Sequence, residues 1–308
     1  MIKFSVVIAV YNKEKHIAKT LQSVLEQTYT HFEVVIVNDG STDNSEAEIK
    51  KCNDPRISYY SQVNQGAGAA RNEAIKKAKN DYIALLDADD YWYSHHLEEL
   101  EKLIAEFPKE HIYANALEVE RNGKIFPCLY SIPENSGIQI LNYFEASLKS
   151  SILHSSNFGI KKAAFNAVGG YNSVFKTGED TDLYVRLGLN YKVVFGGKIT
   201  ARYQIKDDGL NATSTSFESK ATFEAYTREE KNKPALKKFL DLNRYSLAML
   251  AKLQGDDKNY KRFRSQLDEA NLNKKQRFLL STPSGILQLS RKFKIFMERR
   301  GIYLSAFK

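Results

Sequence analysis

The sequence has little cysteine, one tryptophan and no long apolar run, and each scarcity narrows what the chain can be. Cys52 and Cys128 are the only cysteines in 308 residues. Two thiols cannot make a disulfide framework, and their spacing matches no metal-ligand pattern. No stretch approaches the roughly 20 apolar residues that cross a bilayer, so a membrane-spanning helix is not expected. The apolar run Phe4 to Val10 is too short, and too soon followed by charge, for a signal peptide. The protein is therefore expected to be cytoplasmic. No internal repeat or low-complexity segment interrupts it.

What is present is the composition of a folded globular protein, 43% hydrophobic and 27% charged. The length suits one large α/β domain with an appendage, or two modest domains. The net charge of +8 is uneven, because residues 218–308 hold 21 Lys/Arg against 10 Asp/Glu. The basic surplus belongs to the tail, where it suits an anionic partner or a solvated helical face equally.

Short apolar runs alternate with helix-patterned segments through the first 107 residues, as in βα units that build a mostly parallel sheet. Strands are expected at 4–10, 32–37, 57–61 and 82–86. Ile17, Leu21, Val24 and Leu25 recur at helical spacing, with Asn12 placed to cap that helix, and a second helix is expected over 67–79. Further strands are read at 111–119 and 124–130, joined by an Asn122-Gly123 hairpin turn. Helices near 137–148 and 179–189 and strands near 191–196 and 200–205 complete a domain of residues 1–217, divisible into halves 1–107 and 108–217. Residues 218–308 read as a basic helical region, broken at Gly255 and at Thr282-Pro-Ser-Gly285.

In an open α/β sheet ligands bind beyond the carboxyl ends of the strands. Asp87-Ala-Asp-Asp90 stands at such an end. If the chain stays extended there, Asp87 and Asp89 point to one side, and a hard divalent ion joining them can hold a diphosphate. An acidic turn before a helix explains the same residues. Asn38-Asp-Gly-Ser-Thr-Asp43 follows the second strand; most of it is turn chemistry, but Asp39 can accept the N3 proton of a uracil or thymine ring. Asn64-Gln-Gly-Ala-Gly-Ala-Ala-Arg-Asn72 lacks the third glycine of a dinucleotide fingerprint, and its small residues permit close backbone approach. Arg71 can there reach a base or phosphate, or form a surface ion pair. Gly178-Glu-Asp-Thr-Asp-Leu183 opens a helix with three acids, which dipole preference explains without function and general base catalysis explains with it.

Together with Ser5-Val-Val-Ile-Ala-Val-Tyr-Asn12, these motifs resemble, in order and spacing, family 2 glycosyltransferases of the GT-A fold, a Rossmann-like nucleotide-diphospho-sugar transferase architecture, from residue 3 to about 217. The resemblance implies a bacterial, inverting, non-processive enzyme that uses Mg²⁺ or Mn²⁺. It implies that Tyr11 stacks on the nucleobase and Ala9 lines the same pocket, that Asp39 reads the base, and that Arg71 holds the nucleotide. It further implies that Asp87 lies by ribose and metal, that Asp89 is the direct metal ligand, and that Asp180 is the catalytic base. Asp182 is the reserve base, on another face of the helix. Glu179, Trp92 and Lys206 are candidate substrate contacts; packing is the other reading of Trp92. His95, His96 and His154 are read as structural.

Two departures from the family pattern bear on this. Where many relatives carry a histidine after the last strand, this chain has Tyr203-Gln-Ile-Lys206, and Lys206 can balance diphosphate charge instead. The Gln-x-x-Arg-Trp motif of processive relatives is absent, which favours transfer of one sugar. The expected partners are a nucleotide-sugar donor, best guessed as uridine-based, and a glycan or lipid-linked acceptor in bacterial surface polysaccharide synthesis. No nucleic-acid motif is found. Ile286, Leu289, Phe293 and Phe296 share a helical face beside Arg and Lys residues, a pattern that suits either an anionic membrane surface or packing on the protein. The alternative from another class is a non-catalytic sugar-nucleotide or polysaccharide binding module of the same fold.

Overall fold

The computed structural model describes residues 1–133, 137–205, 216–289 and 297. Lys206, and the stretch 286–300 beyond Leu289 apart from residue 297, lie outside the described residues. The chain divides into two units, one of Met1–Ala146 with Ser150–Ala221 and the other of Ser147–Lys149 with Thr222–Lys308.

In the first unit β1 (Phe4–Val10), β2 (Phe32–Asn38), β3 (Ile57–Ser61) and β4 (Tyr82–Leu85) are all parallel, in the order β3-β2-β1-β4. Burial on both faces is why β1 and β2 read as unbroken apolar runs. The helices between them, α1 (Ile17–Leu25), α2 (Ser45–Lys50) and α3 (Ala67–Lys77), are the crossovers that parallel pairing requires. Because β2 lies on one side of β1 and β4 on the other, the connection reverses there and opens a crevice at the carboxyl ends of β1 and β4. Register fixes its walls, since Val10 pairs with Asn38 and Val7 with Leu85.

The sheet continues through β9 (Phe158–Lys161), antiparallel to both β4 and β6 (Ile112–Arg121), then β10 (Val193–Ile205), parallel to β6, and the short β5 (Tyr91–Trp92). It is thus parallel through β3, β2, β1 and β4, with antiparallel strands inserted beyond. The two strands expected near 191–205 are one, bent by register shifts between Gly196 and Ala201. β7 (Lys124–Pro127) forms the expected hairpin with β6, and Asn122 and Gly123 both take positive φ, 51° and 71°. The helix expected over 137–148 is instead β8 (Gln139–Leu141), paired with β10, and the one-turn α5 (Tyr143–Ala146). The unpaired edge of β10 captures the Ile140 segment before a helix can extend through it.

The core is continuous from Val6, Ile8, Val34 and Ile36 to Leu97, Leu100, Leu103 and Ile104 of α4 (His96–Glu106). Those four leucine and isoleucine positions follow helical spacing and bury one stripe of α4. Trp92 is fully buried, stacked on His96 at 4.1 Å, with its indole N–H donated to the Ser156 carbonyl at 2.7 Å. Its ring is enclosed by the core and its one polar atom is hydrogen-bonded. α6 (Lys162–Ala167) and α7 (Glu179–Asn190) are the remaining helices among the described residues of the unit.

Among the described residues the second unit is helical, with its longest helix over Pro234–Gln254, ended by Gly255 at φ 74°. A buried network of Arg244 with Glu230 at 2.6 Å and Asp241 at 3.5 Å knits it together. Among the described residues no helix is long and apolar enough to cross a membrane. Ile286 and Leu289 are exposed.

Candidate functional site

The crevice is framed by backbone stitching between loops. Asn12 does not cap α1, which starts at Ile17; it takes a left-handed φ of 52° and accepts the Thr42 backbone N–H at 2.8 Å. That ties the loop after β1 to the loop after β2. Asp39 is buried and accepts the Gln65 N–H at 2.9 Å and the Gln62 amide at 2.8 Å on Oδ1, and the Gly66 N–H at 2.8 Å on Oδ2. This carboxylate organises the loop into α3, and an ionised carboxylate keeps lone-pair capacity for one more donor. Gly40 is held at φ +70°, where an added Cβ would meet the Asn64 backbone nitrogen at 2.9 Å. Ala9 and Tyr11 are half-buried at the mouth of this wall.

The acidic corner is a turn and not an extended chain. The Asp90 N–H is donated to the Asp87 carbonyl at 3.0 Å, and Thr20 of α1 donates its hydroxyl to the carbonyls of Ala88 and Asp90 at 3.1 and 2.9 Å. The alternation expected for Asp87 and Asp89 is therefore lost, and the side chains part company. Asp87 meets Arg71 at 2.6 Å, and Asp89 meets Lys13 at 2.6 Å. Asp90 turns inward to accept the Ser156 hydroxyl at 2.5 Å and the Gln204 backbone N–H at 3.0 Å. Burial, then the charges of Asp87 and Asp89, push the Asp90 carboxyl well above the usual range.

Arg71 lies across the centre. It is 7% exposed, and its guanidinium reaches Asp87 at 2.6 Å through Nη2 and Asp180 at 3.3 Å through Nη1, with Glu179 at 3.6 Å and the ring of Tyr171 5.2 Å beneath it. Burial opposes its charge, but Asp180 and Asp87 outweigh burial and hold its pKa well above the ordinary value. α3 can bring Arg71 so close because its neighbours are small; a Cβ on Gly68 would meet Tyr171 at 3.2 Å. Asp180 stands in the first turn of α7, which begins at the left-handed Gly178. Its Oδ1 also accepts the Ser155 hydroxyl at 3.0 Å. Asp182 turns to the other side of α7 and pairs with Arg186 at 2.7 Å, whose remaining nitrogen binds the carbonyls of Val168 and Gly170. Spacing along the helix separates the two acids as the sequence implied.

A chemically fitting donor set for a divalent ion is present here, and it shares Asp87 with the expected acid pair. Asp87, Asp90 and His154 bring ligand atoms within 4.8 Å of one another, a mixed carboxylate and imidazole group suited to Mg²⁺ or Mn²⁺. Asp89 is outside that set and meets Lys13 at 2.6 Å. His154, read as structural from the sequence, packs against Tyr203 at 4.4 Å and accepts the Ser156 N–H at 3.2 Å, so its ring belongs to the corner. Burial lowers its pKa, which favours the neutral ring that a metal requires. His96, with its pKa pushed down to about 3 by burial, remains a packing residue.

The residues that sequence reasoning passed over are Lys13, Ser155 and Ser156, while His154 was read only as structural. The only signal in the sequence is a polar triplet just before the apolar strand 158–160.

A predominantly parallel sheet with a reversal at its first strand, carrying acids at the crevice, defines a GT-A-like fold. The sequence profile of "Glycosyl transferase family 2" matches residues 5–169, and the chain belongs to that family. Glycosyltransferase GlyA of Streptococcus pneumoniae serotype 4 is 29% identical over 236 residues, which is 69% of this chain and 32% of that protein. The UDP-Glc:alpha-D-GlcNAc-diphosphoundecaprenol beta-1,3-glucosyltransferase WfaP of Escherichia coli is 34% identical over 168 residues, 52% of this chain and 63% of that one. S. aureus TarS 1-349 in complex with UDP-GlcNAc superposes with a TM-score of 0.60 at 18% identity, covering 86% of this chain and 91% of that one, and shows a shared fold. The chain spans about a third of the length of GlyA, and less than two thirds of WfaP.

Proposed function

We propose that the chain is a metal-dependent inverting glycosyltransferase that moves one sugar from a nucleotide diphosphate sugar, of the uridine type, to a hydroxyl of a glycan or lipid-linked acceptor. The observation that carries the reading is Arg71, which joins Asp87 at the strand-end corner to Asp180 on the facing helix through one guanidinium. A leaving diphosphate and an attacking hydroxyl must occupy opposite sides of one anomeric carbon. One guanidinium that touches both acids sets the corner assigned to the diphosphate beside the acid assigned to the acceptor hydroxyl.

In this reading Tyr11, Ala9 and Asp39 receive the nucleobase and Arg71 neutralises the departing diphosphate. Asp87 and Asp89 are assigned to the ion, with Asp90 and His154 adjoining Asp87. A bound divalent ion supplies Lewis-acid neutralisation of phosphate oxygens. Asp180 accepts the proton of the acceptor hydroxyl as its oxygen bonds to the anomeric carbon and the bond to the diphosphate oxygen breaks, which inverts that centre. WfaP is named for a UDP-Glc donor and a diphosphoundecaprenol acceptor, and TarS was solved with UDP-GlcNAc. Both names favour a uridine donor, and the first favours an acceptor at the membrane surface, which the basic tail suits.

The test measures release of free nucleotide diphosphate with Mg²⁺ or Mn²⁺ across a panel of donors, for wild type and Asp180→Asn. The variant is expected to lose roughly 10²- to 10⁴-fold in transfer while its donor affinity stays within about twofold. Undiminished transfer, or donor binding lost in step with transfer, overturns the assignment of Asp180.

A further inference from the structure

Asp180 is held by one oxygen only. Ser155 donates its hydroxyl to Oδ1 at 3.0 Å, and Arg71 Nη1 approaches the same oxygen at 3.3 Å. The side chain is 34% exposed, so the carboxylate faces open space while anchored from behind. Ser155 itself is 2% exposed, and its oxygen lies 3.4 Å from the hydroxyl of the buried Tyr184. Nothing about a fully buried serine on the segment before β9 is needed to build the sheet. The neighbouring Ser156 does similar service for the acidic corner, binding Asp90 and accepting the Asp87 N–H at 3.2 Å.

The arrangement answers a problem that Arg71 creates. A guanidinium beside a carboxylate tends toward two parallel hydrogen bonds, which occupy both oxygens. Asp180 paired in that way would turn both oxygens toward the guanidinium and away from an acceptor hydroxyl. Arg71 already donates through Nη2 to Asp87 at 2.6 Å, and the buried Ser155 hydroxyl holds Oδ1 from a fixed position, so both contacts to Asp180 converge on Oδ1 and neither takes Oδ2.

We propose that Ser155 is the positioning residue of this site: it fixes Asp180 by Oδ1, prevents its collapse into a two-point pair with Arg71, and presents Oδ2 to the acceptor hydroxyl. The inference rests on the reading of Asp180 as the base. It makes Ser155 act through Asp180 and not on the substrate, so its removal affects turnover and not donor binding.

The experiment compares Ser155→Ala, Ser155→Thr and Asp180→Asn by donor affinity, KM and the pH profile of kcat. Ser155→Ala is expected to lower kcat by roughly 10- to 100-fold with donor affinity unchanged. A lost hydrogen bond to the charged form raises a carboxyl pKa, so the acid limb of the kcat profile moves to higher pH. Ser155→Thr keeps a hydroxyl and restores both. Should the alanine variant fail to fold, Ser155→Cys keeps a side chain there with a much weaker donor and is expected to show the same loss. If Asp180→Asn abolishes transfer while the Ser155 variants keep wild-type kcat and an unmoved acid limb, the positioning role is overturned and the base stands. If Asp180→Asn transfers normally, the base reading fails and this inference fails with it.

Discussion

Lys13 Nζ lies 2.6 Å from Asp89 Oδ2 across the crevice between β1 and β4. An ammonium therefore sits where a cation is expected, on the acid that the family resemblance makes the direct metal ligand. Any ion that engages Asp89 must first displace or share this partner. Lys13→Met removes the competitor and is expected to tighten Mn²⁺ binding to the donor-free protein by roughly two- to fivefold, the scale of a partly exposed ion pair. Electron paramagnetic resonance titration of free Mn²⁺ measures it. Unchanged or weaker binding would mean that Lys13 and the ion do not share Asp89.

Arg71 is the second point of leverage. Lysine keeps the charge but has no planar fork, so it cannot meet Asp87 and Asp180 from one rigid group or lie as flat on Tyr171. Arg71→Lys is expected to lower kcat/KM by about 10²-fold, the scale of losing one preorganised donor at a developing charge. A variant with near wild-type kcat/KM would show that positive charge alone suffices and that the bridge between the two acids is dispensable.

The burial of Trp92 predicts a stability effect with no catalytic one. Its indole N–H satisfies the Ser156 carbonyl, and its ring stacks on His96. Trp92→Phe leaves that carbonyl unpaired and a gap beside His96, at a cost of about 2 kcal/mol. A thermal midpoint lower by roughly 4 to 8 °C is expected, with KM for the donor unchanged in the folded enzyme. A raised KM at an unchanged midpoint would return Trp92 to the substrate.

How much of this was legible in the sequence depends on how local each cause is. β1 and β2 are visible because strands buried on both faces leave unbroken apolar runs, and the Asn122-Gly123 hairpin because only certain residues take positive φ twice in succession. The segment 137–148 was misread because its apolar residues fit a helix, and the partner that draws Gln139–Leu141 into a strand is β10, some fifty residues on. The site divides in the same way. Arg71, Asp87 and Asp180 announce themselves as motifs at strand and helix ends, and the fold brings them together. Ser155, His154 and Lys13 carry no local pattern; each matters through a residue 25 to 76 positions away or through a turn that breaks the expected alternation. The sequence shows the acid pair Asp87 and Asp89 but neither the turn between them nor Lys13 beside Asp89.

Glu179 supplies a test by pH. Burial first, and then the charge of Asp180, push its carboxyl up to about 7, with Arg71 pulling the other way. An unfolded glutamate titrates near 4.3, so between those values the native protein binds the extra proton. The associated stability is therefore fully present below about pH 4.3 and is lost as pH rises through about 7, to a limit of about 4 kcal/mol. Glu179→Gln mimics the protonated side chain at every pH and escapes the loss. The thermal midpoint of the variant relative to wild type is thus expected to rise by several degrees from pH 5 to pH 8, and the slope should flatten above pH 8, once the wild-type carboxyl is fully ionised. A gap that stays constant across that range would mean that Glu179 is already ionised at pH 5. Arg71 would then neutralise three carboxylates instead of two, and the share of its charge left for a departing diphosphate would be smaller.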